Sequence, residues 1–350
     1  MSTVNLLITI TVSLVLSGLA LPWAIKLSES QGWVDLPGKH KRHKRPVPVV
    51  GGLVLFAAVW LTVVVVLFLE PGLTAELSST LFYIFFGGLI IVLVGFSDDL
   101  SPLPAWVKLL AQIAAGLTIY MGGLQVELLT TPWGSIDVGG WSPIISIGWV
   151  VILTNAINLI DGLDGLAAGV SLISAVTMSV IGYMYDIGAS LIFLYAMIGF
   201  LIPFLYYNKY PARIFLGDSG SMQIGYYFAV VSLVFPLKSF TFTALYVPLL
   251  VLAVPVLETA SSIIRRLAAG KNLMKADRRH LFHYLALGGL SYRQVILVFY
   301  SLAVIFGLFA LAMFLWDRVL VFTLLVLFMV VILGLFLILV AKLPFSKRKN

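Results

Sequence analysis

A chain of 350 residues that is 61% hydrophobic and only 11% charged, with a mean hydropathy of +1.08, has too little polar surface to coat a water-soluble globule. That balance excludes a soluble enzyme and defines a polytopic membrane protein. The absence of cysteine excludes disulfides, thiolate metal sites and thiol nucleophiles.

A helix rises about 1.5 Å per residue and must cross roughly 30 Å of hydrocarbon. Eleven apolar runs meet that requirement, at about 4–26, 48–69, 79–97, 104–121, 141–159, 166–182, 188–206, 219–236, 242–263, 294–316 and 319–341. The expected fold is therefore an all-α polytopic bundle forming one catalytic domain over 1–350, with a small extracytoplasmic β-hairpin around 123–141. The first run has no Lys or Arg before Lys26, so it reads as an anchoring helix rather than a cleaved signal.

With eleven spans the loops alternate sides. One set comprises about 27–47, 98–103, 160–165, 207–218, 264–293 and the C-terminal tail, and with its helix ends it holds all 22 Lys and Arg except Lys238 and Arg318. The positive-inside rule makes that set cytoplasmic, with the N-terminus outside and the C-terminus inside. The formal net charge of +7 is thus a topological signal, and the partner it implies is the lipid bilayer, not nucleic acid.

The same loops carry the chemistry. The first runs Asp35-Leu-Pro through Arg42-His43 to Pro46-Val-Pro48, and ends in Gly51-Gly52 at a helix start. Asp98-Asp99 closes the third span, with Lys108 one turn into the next; two adjacent carboxylates need a cation, a proton or a lysine to coexist. In Asn155-Ala-Ile-Asn158-Leu-Ile-Asp161-Gly162-Leu-Asp164-Gly165 the polar groups recur every three residues and would drift around a continuous helix. Gly162 and Gly165 end the helix in a tight turn, so the four can converge. Arg213-Ile-Phe-Leu-Gly217-Asp218-Ser219-Gly220 puts an acid at a helix N-terminus, where free N–H groups suit phosphate oxygens. The loop 264–293 is basic and holds His280 and His283 on one helical face; with so many cations nearby, diphosphate is a better ligand for it than a metal. Hard oxygen donors suited to Mg²⁺ or Mn²⁺, basic groups and a bilayer together indicate phosphoryl transfer from a nucleotide-borne donor to a lipid acceptor.

These motifs, in this order from Asp35 to Arg293, resemble the polyprenyl-phosphate N-acetylhexosamine-1-phosphate transferases, and most closely the bacterial undecaprenyl-phosphate GlcNAc-1-phosphate branch. The resemblance implies an enzyme of the bacterial inner membrane. It would move sugar-1-phosphate from a UDP-sugar to undecaprenyl phosphate and release UMP, as the first membrane step of O-antigen, common-antigen or teichoic-acid linkage synthesis, and a homodimer is compatible with it. It further implies that Asp218 and Asn158 hold Mg²⁺, that Asp98 deprotonates the lipid phosphate beside Asp99 and Lys108, and that Asp161 lines the nucleotide site with Asn155. By the same resemblance Asp164 contacts uracil; Arg278, Arg279, His280 and His283 bind diphosphate and sugar; Arg213 belongs to the substrate-binding set; and Asp35, Arg42 and His43 close the pocket. The alternative is the muramoyl-pentapeptide branch, which would carry a histidine triplet where this chain reads His280-Leu-Phe282-His283. A cation-coupled transporter would place its acids near the midplane of two related halves, unlike this pattern.

Overall fold

The computed structural model describes residues 3–38, 43–131, 134–184, 188–238, 246–268, 270 and 281–342. Helices dominate: α1 (Thr3–Gln31), α2 (Gly51–Leu69), α3 (Pro71–Leu100), α4 (Ala105–Met121), α5 (Ser142–Ile160), α6 (Leu166–Met184), α7 (Leu191–Asn208) and α8 (Gly217–Lys238) are followed by α9 (Tyr246–Val251), α10 (Ala253–Ala268), α11 (Leu281–Leu287), α12 (Tyr292–Leu315) and α13 (Arg318–Lys342). Val4–Gln31, Gly51–Leu69, Thr80–Leu100, Gly139–Ile160, Leu166–Met184, Leu191–Asn208 and Tyr292–Leu315 are long and apolar enough to cross a bilayer. Ala105–Met121 and Val319–Leu335 are apolar but shorter. This is a multi-pass membrane protein.

Two small sheets interrupt the helices. Strands β3 (Leu128–Thr131) and β4 (Gly134–Asp137) form the hairpin expected within 123–141, with Leu128 opposite Asp137. Strands β1 (Val34–Asp35) and β2 (Val47–Pro48) pair antiparallel and close the first loop on itself, which the sequence pattern did not signal.

The expected span 242–263 is not one helix but two, α9 and α10, parted at Leu252. Pro255 is the cause: it has no N–H for the carbonyl four residues back, and its ring collides with that carbonyl, which belongs to Val251. The freed Val251 oxygen accepts a hydrogen bond from Ser174 Oγ of α6 at 3.1 Å. A neighbouring helix thus supplies the donor that lipid cannot.

The centre of the bundle is α8, buried without interruption from Ser219 to Val234 between α2, α3, α5 and α7. Two of its polar side chains tie it to neighbouring helices, with Tyr226 donating to the Ile84 carbonyl at 2.8 Å and Ser232 accepting from Trp149 Nε1 at 2.6 Å. Small residues let α2 and α3 approach the first turn of α8 at backbone distance. A Cβ on Gly95 would lie 2.6 Å from Ser219 N, and one on Gly52 would lie 2.5 Å from the Ser219 carbonyl carbon. Such close backbone approach is how helices adhere where no hydrophobic effect separates protein from solvent. Gly95→Ala is expected to cost about 1–3 kcal/mol through overpacking against rigid backbone. Gly148→Ala, whose Cβ would meet nothing within 4 Å, should be neutral or mildly stabilising. Thermal unfolding of both variants in detergent checks the pair.

Candidate active site

The chain leaves α3 at Asp99 and re-enters the bundle at α8 close by. Gly217 takes a left-handed φ of 69°, which turns the Asp218 and Ser219 amides toward Asp99. The Asp99 carboxylate accepts from Asp218 N (2.6 Å), Ser219 N (3.1 Å) and Ser219 Oγ (2.7 Å). One helix end therefore caps the start of another, meeting both its free donors and its positive dipole. A side chain at Gly217 would sit 2.6 Å from the Asp99 carboxyl carbon, so no larger residue fits there.

Asp98, next along α3, faces elsewhere. Its Oδ1 accepts from Leu103 N at 2.7 Å, and its Oδ2 from Lys108 Nζ at 3.1 Å. The same ammonium donates to Asp218 Oδ2 at 2.7 Å, so Lys108 bridges two carboxylates contributed by different helices. Asn158, at the end of α5, donates from Nδ2 to Ser221 Oγ at 3.0 Å, and Ser221 in turn donates to the Gly217 carbonyl at 2.9 Å. The same Asn158 side chain also hydrogen-bonds the Asp218 carboxylate, so it ties the end of α5 to the first turn of α8.

Asp99, Asn158, Asp161, Asp164 and Asp218 line one cavity of about 1020 Å³ together with Asp35, His43, Arg213 and His283. Asp161 lies just past the end of α5. Burial, and then the carboxylates of Asp218, Asp99 and Asp164, push its pKa well above the usual range. Asp164 is tied by Oδ2 to the Ala212 amide at 3.0 Å. Arg213 enters the wall because its own amide is anchored on the Tyr207 carbonyl. The first loop reaches the cavity through β2, whose Pro48 carbonyl accepts from Phe215 N at 2.8 Å, while Gly51 and Gly52 donate back to the Phe215 and Leu216 carbonyls. His43 stands edge-on to the Phe215 ring at 5.5 Å, with its Nε2 3.6 Å from Asp35 Oδ2.

Not every expected residue lies there. Asn155 is one turn deeper in α5, where its amide donates to Gln112 Oε1 at 2.6 Å and to the Val151 carbonyl at 2.8 Å; it fastens α4 to α5 and does not line the cavity. Asp98 and Lys108 are also outside the lining and meet the site only through Asp218. Arg42, Arg278, Arg279 and His280 lie outside the described residues. Phe282, the residue between His280 and His283 in that motif, is buried with its ring against Gly162. Sequence reasoning passed over Ser219, Ser221, Asn208, Tyr210 and Tyr292. The serines fall within the Asp218 motif but look like ordinary helix residues, and the tyrosines carry no periodic signal.

Asp161, Asp218 and Asn158 offer only oxygen donors, which suits a hard divalent cation. Among the described residues no three His, Asp or Glu side chains form a ready-made cluster. That donor set fits Mg²⁺ or Mn²⁺, which take one or two carboxylates and fill the rest of the sphere with water and substrate phosphates.

The helical membrane bundle thus carries a polar cavity where its helices end. Residues 81–236 match glycosyl transferase family 4. The chain is 33% identical to the probable undecaprenyl-phosphate N-acetylglucosaminyl 1-phosphate transferase of Bacillus subtilis, over 94% of this chain and 91% of that protein. It is 32% identical to the decaprenyl-phosphate N-acetylglucosaminephosphotransferase of Mycobacterium tuberculosis (78% and 74%), and 30% identical to the phospho-N-acetylmuramoyl-pentapeptide-transferase of Listeria monocytogenes (82% and 90%). The chain belongs to glycosyl transferase family 4.

The raised pKa of Asp161 makes stability depend on pH. The folded state holds this proton more tightly than the unfolded chain, whose Asp titrates near about 3.9, so stability is highest below that value and falls as pH rises toward the folded pKa. Without divalent cation, Asp161→Asn should flatten the fall in melting temperature between about pH 4.5 and 8. Equal slopes in wild type and variant would show that Asp161 is not held in this environment.

Proposed function

We propose that this protein transfers an N-acetylhexosamine 1-phosphate, GlcNAc-1-phosphate foremost, from a UDP-sugar to undecaprenyl phosphate, releasing UMP. The carrying observation is the convergence of Asn158, Asp161, Asp164 and Asp218 with Arg213, His43 and His283 on one cavity. The named activities of the Bacillus and Mycobacterium relatives support it, since both join an N-acetylglucosamine phosphate to a polyprenyl phosphate. We read the chain as eleven spans with the cavity facing the cytoplasm of the bacterial inner membrane, which the segregation of Lys and Arg supports.

An oxygen of the lipid phosphate attacks the phosphorus that carries the sugar. The bond from that phosphorus to the oxygen bridging toward uridine breaks, and UMP takes the electron pair. One phosphoanhydride forms as another is lost, so the reaction is near balance. Asp218, Asn158 and Asp161 would hold Mg²⁺, which supplies charge neutralisation on the diphosphate when bound. Lys108, seated between Asp98 and Asp218 outside the cavity lining, acts through Asp218 by holding its carboxylate in place. Both oxygens of Asp98 are hydrogen-bonded, so we assign it the holding of Lys108; the lipid phosphate is largely ionised near neutral pH and gains little from a base. Asp164, with the Arg213 and His283 walls, receives the nucleotide and its diphosphate.

Purified protein in detergent with Mg²⁺, UDP-GlcNAc and undecaprenyl phosphate should release UMP, and EDTA should stop it. Asp218→Ala should lower the rate by about 100-fold or more, the usual worth of a preorganised charge-stabilising group. Turnover that ignores EDTA and this substitution would overturn the metal assignment. UDP-MurNAc-pentapeptide run in parallel tests the other branch.

A further inference from the structure

The segment that carries Asp161 and Asp164 is held from outside by a helix to which the reaction above gives no role. Ser291 and Gln294 form a reciprocal capping box that sets the first turn of α12. From there Tyr292 donates through its hydroxyl to the Asp164 carbonyl at 3.1 Å. Two turns on, Tyr300 donates to the Gly165 carbonyl at 2.6 Å, with its ring in the notch left by Gly169. The two hydroxyls thus seat consecutive carbonyls of a single turn. Gly165, at φ 80°, has its amide taken by Asn208 Oδ1 at 2.9 Å, and Asn208 Nδ2 donates onward to the Ile214 carbonyl at 2.8 Å. Below Tyr292 lies the Tyr210 ring, 4.7 Å away between centroids, two residues before the Ala212 amide that binds the Asp164 carboxylate. Asp164 is therefore gripped at both its carbonyl and its carboxylate, and α12 supplies one grip.

A membrane helix that only packs has no reason to aim two phenols at one turn. Phenol hydroxyls in an apolar setting need partners, but those partners need not be adjacent backbone atoms of the segment bearing two cavity acids. We propose that Tyr292 and Tyr300 are positioning residues for the nucleotide end of the cavity: their hydroxyls fix the Asp164–Gly165 peptide and so the direction from which Asp164 meets the donor. The proposal rests on the donor reading above.

The test uses the full-length protein in detergent with Tyr292→Phe, Tyr300→Phe and the double variant. Each single change keeps the ring and removes only the oxygen. UMP affinity in Mg²⁺, measured by calorimetry, should weaken roughly three- to tenfold for each single variant, the worth of one ordinary hydrogen bond. KM for UDP-GlcNAc should rise alike, while KM for undecaprenyl phosphate stays within about twofold. Ser174→Ala, which removes a buried hydrogen bond at the α9–α10 break, is the structural control: it should lower the melting temperature without moving UMP affinity. Unchanged UMP affinity in both tyrosine variants would overturn the proposal, as would equal shifts in the KM of both substrates, or a loss of UMP affinity in Ser174→Ala that tracks melting temperature as theirs does. Wild-type protein that neither binds UMP nor releases it would instead overturn the donor reading itself.

Discussion

The Asp99 carboxylate, bonded to the Asp218 amide, the Ser219 amide and the Ser219 hydroxyl, is the interaction on which the rest of the site depends. A helix that begins inside a membrane protein has free N–H groups and no water to satisfy them. Here a carboxyl group of the neighbouring helix accepts from the first two amides at the positive end of the α8 dipole. Once α8 starts at that point, Asp218 is fixed in its first turn, Ser221 stands one turn on to receive Asn158, and Lys108 has a second carboxylate to bridge. Weaken the cap, and each of these loses its reference position.

Backbone contact reinforces the cap. Gly52 brings α2 against the Ser219–Gly220 peptide and Gly95 brings α3 against the Asp218–Ser219 peptide, and Gly217 makes room for the carboxylate itself. The first loop is bound to the same place through Pro48, Phe215 and Leu216, so segments far apart in sequence share one small framework. The framework is made of main chain, which gives it a rigidity that long side chains on mobile loops would not provide.

Much of the helix plan was legible because hydrocarbon thickness dictates run length, and each apolar run has a helix near its place. The break at Leu252 was not, because a proline within an apolar run reads alike whether a neighbour rescues its lost hydrogen bond or not; the rescuer, Ser174, lies in another helix. Gly162 and Gly165 announced the turn that bears Asp161 and Asp164. Asn155 shares the three-residue spacing of its neighbours, but only packing reveals that it faces Gln112 and not the cavity. In the Asp98–Asp99 pair, adjacency in sequence suggested one shared role. The structure gives them two, because consecutive residues at a helix end point in directions about 100° apart. Tyr292 and Tyr300 were invisible for a related reason: their partners are carbonyls, and carbonyls leave no trace in a sequence.

The charge balance then follows from geometry. Asp99 is answered by three donors and a helix terminus, and Lys108 answers one of the two carboxylates it touches. Around Asp218 one negative charge therefore remains, with Asp161 close by in surroundings that resist its ionisation. A site left in that state is short of a cation, and Arg213, His43 and His283 line the same cavity. Carboxylates together with a guanidinium and imidazoles in one cavity form an arrangement that a diphosphate carrying its own divalent ion completes. The ion meets the carboxylates, and the basic wall meets the phosphate oxygens the ion leaves uncovered. Neither half alone would favour the ligand so well: the acids would repel the diphosphate without the ion, and the basic groups would bind any anion without the acids to demand a metal-bearing one.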